Sequence, residues 1–265
     1  MGAAIKAEVR KLLTTRLWWG MAIAVFVCGA GLAALLGSIS SSEPSQDAIE
    51  AGAPVMTPTE IAISTYTGGS AFGYVLLMVI GIMTVGSEYR HQTITSSLLA
   101  VPQRMRLIGA KIIALLGFGV MYGLIFLVGS VAVGATVLSI RGLEVLPDAG
   151  TVVRSLLLLL LVLGLWALIG LGLGILIPNQ VAAILVGVAL AFIVEPIIGA
   201  IASQTSWGET MAQYFPSQAT SAVLGGYQGE NAMRLSWWAG ALVLAAYAAV
   251  MAGIGSWLTQ RRDVS

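Results

Sequence analysis

Of 265 residues, 58% are apolar and only 9% are charged, against roughly 25% charged in an ordinary soluble domain. So few polar groups cannot clothe a soluble fold of this length, and lipid must be the main solvent. Net charge is +1, so bulk electrostatics points to no nucleic-acid partner, and the placement of the charges carries the information. The single cysteine, Cys28, lies in an apolar run, which excludes an internal disulfide and reads as a small packing residue.

A membrane-crossing helix needs roughly 20 apolar residues. In chain order the runs are Leu17–Ile39, about Tyr66–Gly86, about Ile112–Ile140, about Val152–Ile177, about Val181–Ala202 and about Leu235–Leu258. The expected fold is therefore an all-α membrane protein with six transmembrane helices, the fourth and fifth joined by a tight turn at Pro178–Asn179. The first run has a basic start, but it exceeds the roughly 7–15 residues of a signal-peptide core, so a retained span is expected, with cleavage as the alternative.

Lysines and arginines accumulate on the cytoplasmic side of membrane proteins. With the N-terminus inside, Lys6, Arg10, Lys11, Arg16, Arg90, Arg104, Arg106, Lys111, Arg261 and Arg262 are inside, ten of the thirteen. Only Arg141, Arg154 and Arg234 fall outside. Of the acids, Glu8, Glu88 and Asp263 are inside and the other nine lie outside or near the outer surface. Both termini are therefore expected in the cytoplasm. The implied location is a cell membrane, as in the bacterial inner membrane.

Three polar segments remain in what reads as a single transmembrane domain. Residues 1–16 place Ile5, Val9, Leu12, Leu13 and Leu17 at helical spacing, an amphipathic helix suited to the cytoplasmic interface with membrane lipid. Residues 40–65 read as an acidic outer loop kept irregular by three prolines. Residues 203–234 read as a second outer segment, with short interfacial helices around Pro216.

Between the second and third spans lies EYRHQTITSSLLAVPQRMRLIGAK, Glu88–Lys111. Ile94, Leu98, Val101, Met105 and Ile108 recur at three- and four-residue spacing, and Pro102 should divide the segment into two short pieces. Such a segment, about 88–108, would lie along the membrane surface and offer a polar face to the cytoplasm, or serve simply as a re-entry loop anchored by positive charge. The order Glu-Tyr-Arg-His-Gln-Thr-Ile, then Pro-Gln-Arg, then a lysine opening the next helix, resembles the ABC-2 family of ABC transporter permeases. The opening Glu8-Val9-Arg10-Lys11-Leu12, followed by Thr14-Thr15-Arg16, is similar to that family's N-terminal interfacial helix, and the six-span plan matches it.

The resemblance implies a permease subunit that pairs with a second permease, identical or related, and carries cytoplasmic ABC ATPase subunits on this loop. It implies a coupling role for Glu88, Tyr89, Arg90, His91, Thr93, Pro102 and Arg104. Positive-inside anchoring remains an alternative for Arg90 and Arg104. His91 reads as a surface hydrogen-bonding group, with a pH switch as the alternative. On this reading, charge reversal at Glu88 together with Arg90 should weaken ATPase docking and leave the protein folded.

The chain holds no G-x-x-x-x-G-K-[ST] phosphate loop, so no cofactor is expected in it, and ATP and Mg would be bound by the partner ATPase. One cysteine and one histidine cannot build a conventional zinc site, and no serine motif points at His91; no catalysis is expected. Glu195, next to Pro196, is an acid within or beside a span, which is a functional candidate by default. It could contact a cationic substrate, bind a proton, pair with Arg154 or sit at headgroup level. A structural or gating role at the outer end stands first, substrate contact second. Glycine pairs such as Gly170/Gly174 fit small-xxx-small spacing, but 32 glycines give about four such pairs by chance, so they name no packing face.

The function expected from the resemblance is ATP-driven export of an amphipathic or lipid-like substrate: a drug, a peptide antibiotic or a lipid-linked molecule. The alternatives are an ion-coupled secondary transporter, which calls for ionisable groups near the midplane, and a non-transporting membrane partner.

Overall fold

The computed structural model describes residues 2–41, 56–90, 104–225 and 235–261, and all regular structure among them is helical. In chain order the helices are α1 (Gly2–Leu13), α2 (Leu17–Ser40), α3 (Pro58–Thr67), α4 (Ser70–Arg90), α5 (Arg104–Ile140) and α6 (Ala149–Leu176). They continue with α7 (Gln180–Ala189), a π-helical turn at Leu190–Val194, α8 (Glu195–Ala202), α9 (Ser206–Ala212), α10 (Pro216–Leu224) and α11 (Trp237–Arg261). Among the described residues six helical stretches are long and apolar enough to cross a membrane: Trp18–Ser40, Pro58–Glu88, Gly109–Ile140, Ala149–Leu176, Gln180–Ala202 and Trp237–Ile254.

The second span begins earlier than its hydropathy indicates. Pro58 occupies the first helical turn, where its missing N–H costs nothing. Thr57 accepts a hydrogen bond from the Glu60 N–H at 3.3 Å, while the Glu60 carboxylate accepts from the Thr57 N–H at 2.8 Å. This capping box starts α3 inside the stretch read as loop, which corrects the expectation for residues 58–65. Ala62, Ile63, Thr65 and Tyr66 are buried against α2, α5 and α6. The Tyr66 hydroxyl donates to the Val145 carbonyl at 2.6 Å, tying α3 to the turn after α5.

The fourth span is the centre of the bundle. Helix α6 packs on α4, α5 and α11, and its Trp166 is stacked on Tyr74 of α4 with ring centroids 4.0 Å apart. The Trp166 indole N–H donates to the Thr220 hydroxyl at 2.8 Å, so the buried ring also holds α10 in place. At the start of α6 the Arg154 guanidinium lies 5.5 Å from the centroid of the Trp237 ring, joining the fourth span to the sixth.

The tight turn between fourth and fifth spans is fixed by Asn179, whose side-chain oxygen accepts from the Val181 and Ala182 N–H groups at 3.0 and 3.1 Å. The fifth span then runs along the flank of the bundle, packed chiefly on α4. Val181, Leu185, Ile193, Ile197 and Ile201 are exposed along it, apolar side chains for which lipid or another apolar surface is the natural neighbour. Proline supplies no N–H and its ring presses on the preceding turn. The wider π turn at Leu190–Val194, just ahead of Pro196, relieves that crowding and allows the helix to continue.

Candidate functional site

Helix α1 carries one acid, Glu8, which is turned inward, while Lys6 and Arg10 on the opposite side of the helix are exposed. Glu8 and Lys11, one turn apart, meet Glu88 from the last turn of α4 and Lys111 from α5. The Lys111 ammonium donates to Glu8 Oε2 at 2.9 Å and to Glu88 Oε1 at 2.6 Å. The Lys11 ammonium donates to Glu8 Oε1 at 2.9 Å and to Glu88 Oε1 at 2.8 Å. The four groups close a ring of alternating charge with no net excess. Glu88 and Lys111 are only 5% and 8% exposed, whereas the Lys11 side chain is 48% exposed and forms the open lip.

Buried charges are tolerated only when paired and hydrogen-bonded, and here each carboxylate faces two ammonium groups. Burial would push the Glu8 carboxyl up, but Lys111 and Lys11 together hold it below its ordinary 4.5. Burial would pull Lys11 down, but hydrogen bonds to Glu88 and Glu8 hold it above its ordinary 10.5. The signs define a pH window. The Glu8 contribution is complete above the ordinary carboxylate range and is lost as pH falls through its lowered value. The Lys11 contribution is complete below the ordinary lysine range and is lost as pH rises through its raised value. Helix α1 is therefore expected to stay docked from mildly acidic to moderately alkaline pH and to loosen at both extremes. Amide hydrogen exchange over residues 2–13, corrected for intrinsic rates, measures this; loss of protection near neutrality would contradict it.

The ring gathers the N-terminal helix and both flanks of the loop between the second and third spans. Of the residues expected to couple that loop to a partner, Glu88 is the one whose side chain is described, and it points into the ring. Tyr89 and Arg90 are the last residues of α4, and Arg104 opens α5; their side chains, and His91, Thr93 and Pro102 entirely, lie outside the described residues. Burial of Glu88 changes the variant expected to remain folded. Reversing its charge would set a third cation against Lys11 and Lys111, with Glu8 alone to balance them. Sequence reasoning noted Glu8, Lys11, Glu88 and Lys111 separately and did not join them. The available signal was an acid in a basic amphipathic helix, together with a lysine one turn inside an apolar span.

At the other end of the bundle, Glu195 Oε1 accepts from the Ser217 N–H at 2.6 Å. Ser217 follows Pro216 in the first turn of α10, where backbone N–H groups lack helical partners and an anion is favoured. The carboxylate thus ties the fifth span to the helix beyond it, while Arg154 lies against Trp237. Behind this contact is a cleft of about 200 Å³, bounded by α4, α6, the fifth span, α10 and α11. Among the described residues no group of three His, Cys, Asp or Glu side chains could hold a metal ion.

No curated protein matches the sequence. The family described as ABC-2 family transporter protein matches residues 4–213, a stretch that runs from α1 through α9 and includes all four ring residues, Glu195 and Pro196. With more than half of the sequence matched and six apolar helices in place, the chain belongs to the ABC-2 transporter family as a membrane permease.

Proposed function

We propose that the chain is one permease subunit of an ATP-driven exporter, paired with a second permease and powered by separate cytoplasmic ATPase subunits that bind ATP and Mg. Its cargo is amphipathic or lipid-like and moves outward from the cytoplasm or the inner leaflet. The chain itself performs no catalysis. The ring of charges faces the cytoplasm, the side that takes ten of the thirteen lysines and arginines.

The observation that carries this reading is the closure of the Glu8–Lys11–Glu88–Lys111 ring around the two flanks of one loop. A loop pressed by a partner transmits force only if its ends are fixed to the spans. Glu88 and Lys111 fasten those ends to each other and to α1, so a push on residues 91–103 would move the second and third spans with the interfacial helix as one body. In this scheme Glu88 is a positioning residue, and Tyr89, Arg90, His91, Thr93, Pro102 and Arg104 form the surface offered to the ATPase. Family membership supports the partner class, since ABC-2 membrane proteins generally work with ATPase subunits.

The test leaves the ring intact. Arg90→Glu combined with Arg104→Glu is expected to weaken ATPase association by about tenfold or more, as loss of complementary charge at a docking surface does. Its thermal stability should match the wild type. Undiminished association would remove this loop as the docking surface.

A further inference from the structure

The cleft beside Glu195 has the composition of a ligand site. Its walls include Met78 of α4, Trp166 and Leu173 of α6, Phe215, and Tyr247 and Met251 of α11. They are carbon-rich, and Glu195 is the one ionisable acid among them. Leu190, Val194 and Ile198, which also line it, are exposed, so the cleft opens on the flank of the bundle, where a membrane would lie. The Trp166 N–H is already given to Thr220. A carboxylate has about four acceptor positions on its two oxygens. Ser217, through its N–H and its nearby hydroxyl, uses only part of that capacity.

Size and charge together select the ligand. A closed apolar cavity of about 150 Å³ holds benzene, so the roughly 200 Å³ here takes one ring-sized hydrophobic group. Anything longer must leave through the lateral opening. Ca2+ or Mg2+ would need about six or more oxygen ligands and Zn2+ about three or four His, Cys or carboxylate ligands, and the walls, with Glu195 alone, cannot supply them. An organic ammonium needs only one charge-assisted hydrogen bond and carries its own apolar body. We infer that this cleft binds a lipophilic amine: its ring or branched group lies against Trp166, Phe215 and Tyr247, its protonated nitrogen donates to Glu195, and its hydrocarbon tail extends into the membrane. That the bound amine is transported cargo rests on the exporter reading; the binding site does not.

The test uses the full chain in lipid nanodiscs and two isosteric probes, N-benzyldodecylamine and the neutral benzyl dodecyl ether. Saturable binding is read above that of empty nanodiscs. The amine is expected to bind at least about tenfold more tightly than the ether, the range of a hydrogen bond to a charged group. Glu195→Gln keeps an oxygen to accept from Ser217 and should erase the preference without weakening the ether. Equal binding of the two probes by the wild-type chain would mean a neutral, lipid-like occupant and would overturn the assignment. No saturable amine binding, or an undiminished preference in Glu195→Gln, would overturn it as well. The wild-type comparison stands even if the variant fails to fold. Glu195-dependent amine binding by a chain that associates with no ATPase would retain the site and reject the exporter. An exporter assembled with its ATPase but showing no amine preference would reject the site alone.

Discussion

Lys111→Met is expected to destabilise the protein by about 3–5 kcal/mol, the usual consequence of removing one partner from a buried ion pair. Glu8 and Glu88 would then face each other across an 8%-exposed position with only the half-exposed Lys11 between them. Lys11→Met should cost much less, about 1 kcal/mol, because its side chain is half exposed and its pairs are screened. Removing a cation and an anion together, as in Lys111→Met with Glu88→Met, leaves the Glu8–Lys11 pair one turn apart on α1 and should recover most of the loss. Denaturation in mixed micelles, together with exchange protection of residues 2–13, reads all three. If Lys111→Met falls within about 1 kcal/mol of wild type, the ring does not hold the interfacial helix.

Gly170→Leu should prevent folding altogether, and Gly81→Leu should do the same. A Cβ on Gly170 would overlap the Met78 carbonyl oxygen, and a Cβ on Gly81 would overlap the Ala167 carbonyl and lie 2.8 Å from the Leu171 nitrogen. Each glycine faces the backbone of the other helix, so no side chain can move aside to make room. Relief would require separating α4 from α6, the pair at the centre of the bundle. The expected loss exceeds about 4–5 kcal/mol, a size reserved for such overlaps. Gly31→Ala and Gly117→Ala provide the contrast, since a Cβ at either would meet nothing within 4 Å. They should be neutral or stabilising by up to about 1 kcal/mol. Folded yield and thermal midpoint in detergent separate the two classes.

These glycines show where sequence reasoning stops. Gly170 and Gly174 have helix-packing spacing, but so would several pairs by chance, and spacing does not say which face is crowded. Only the tertiary arrangement places them on the Met78 and Ile82 backbone of the neighbouring span. The spans themselves were legible because a 20-residue apolar run has few other uses. The start of the second span was missed because hydropathy fails over Thr57–Thr67, although Thr57, Pro58 and Glu60 spell out a helix start. Glu195 stood out as an acid in an apolar segment. Its partner, a backbone N–H 22 residues later, has no side-chain signature to betray it. The charge ring lies between these cases. Glu88 and Lys111 were visible as loop-flanking charges, yet their pairing with α1 depends on how that helix packs across the third span.

In the proposed mechanism this permease works with a separate ATPase docked on the loop between the second and third spans. Affinity purification of the chain from its native membrane tests it most directly. An ATP-hydrolysing subunit is expected in stoichiometric amount, lost from the Arg90→Glu, Arg104→Glu variant while the permease remains folded. Recovery of the wild-type permease without any ATPase, under conditions that preserve other membrane complexes, would contradict it.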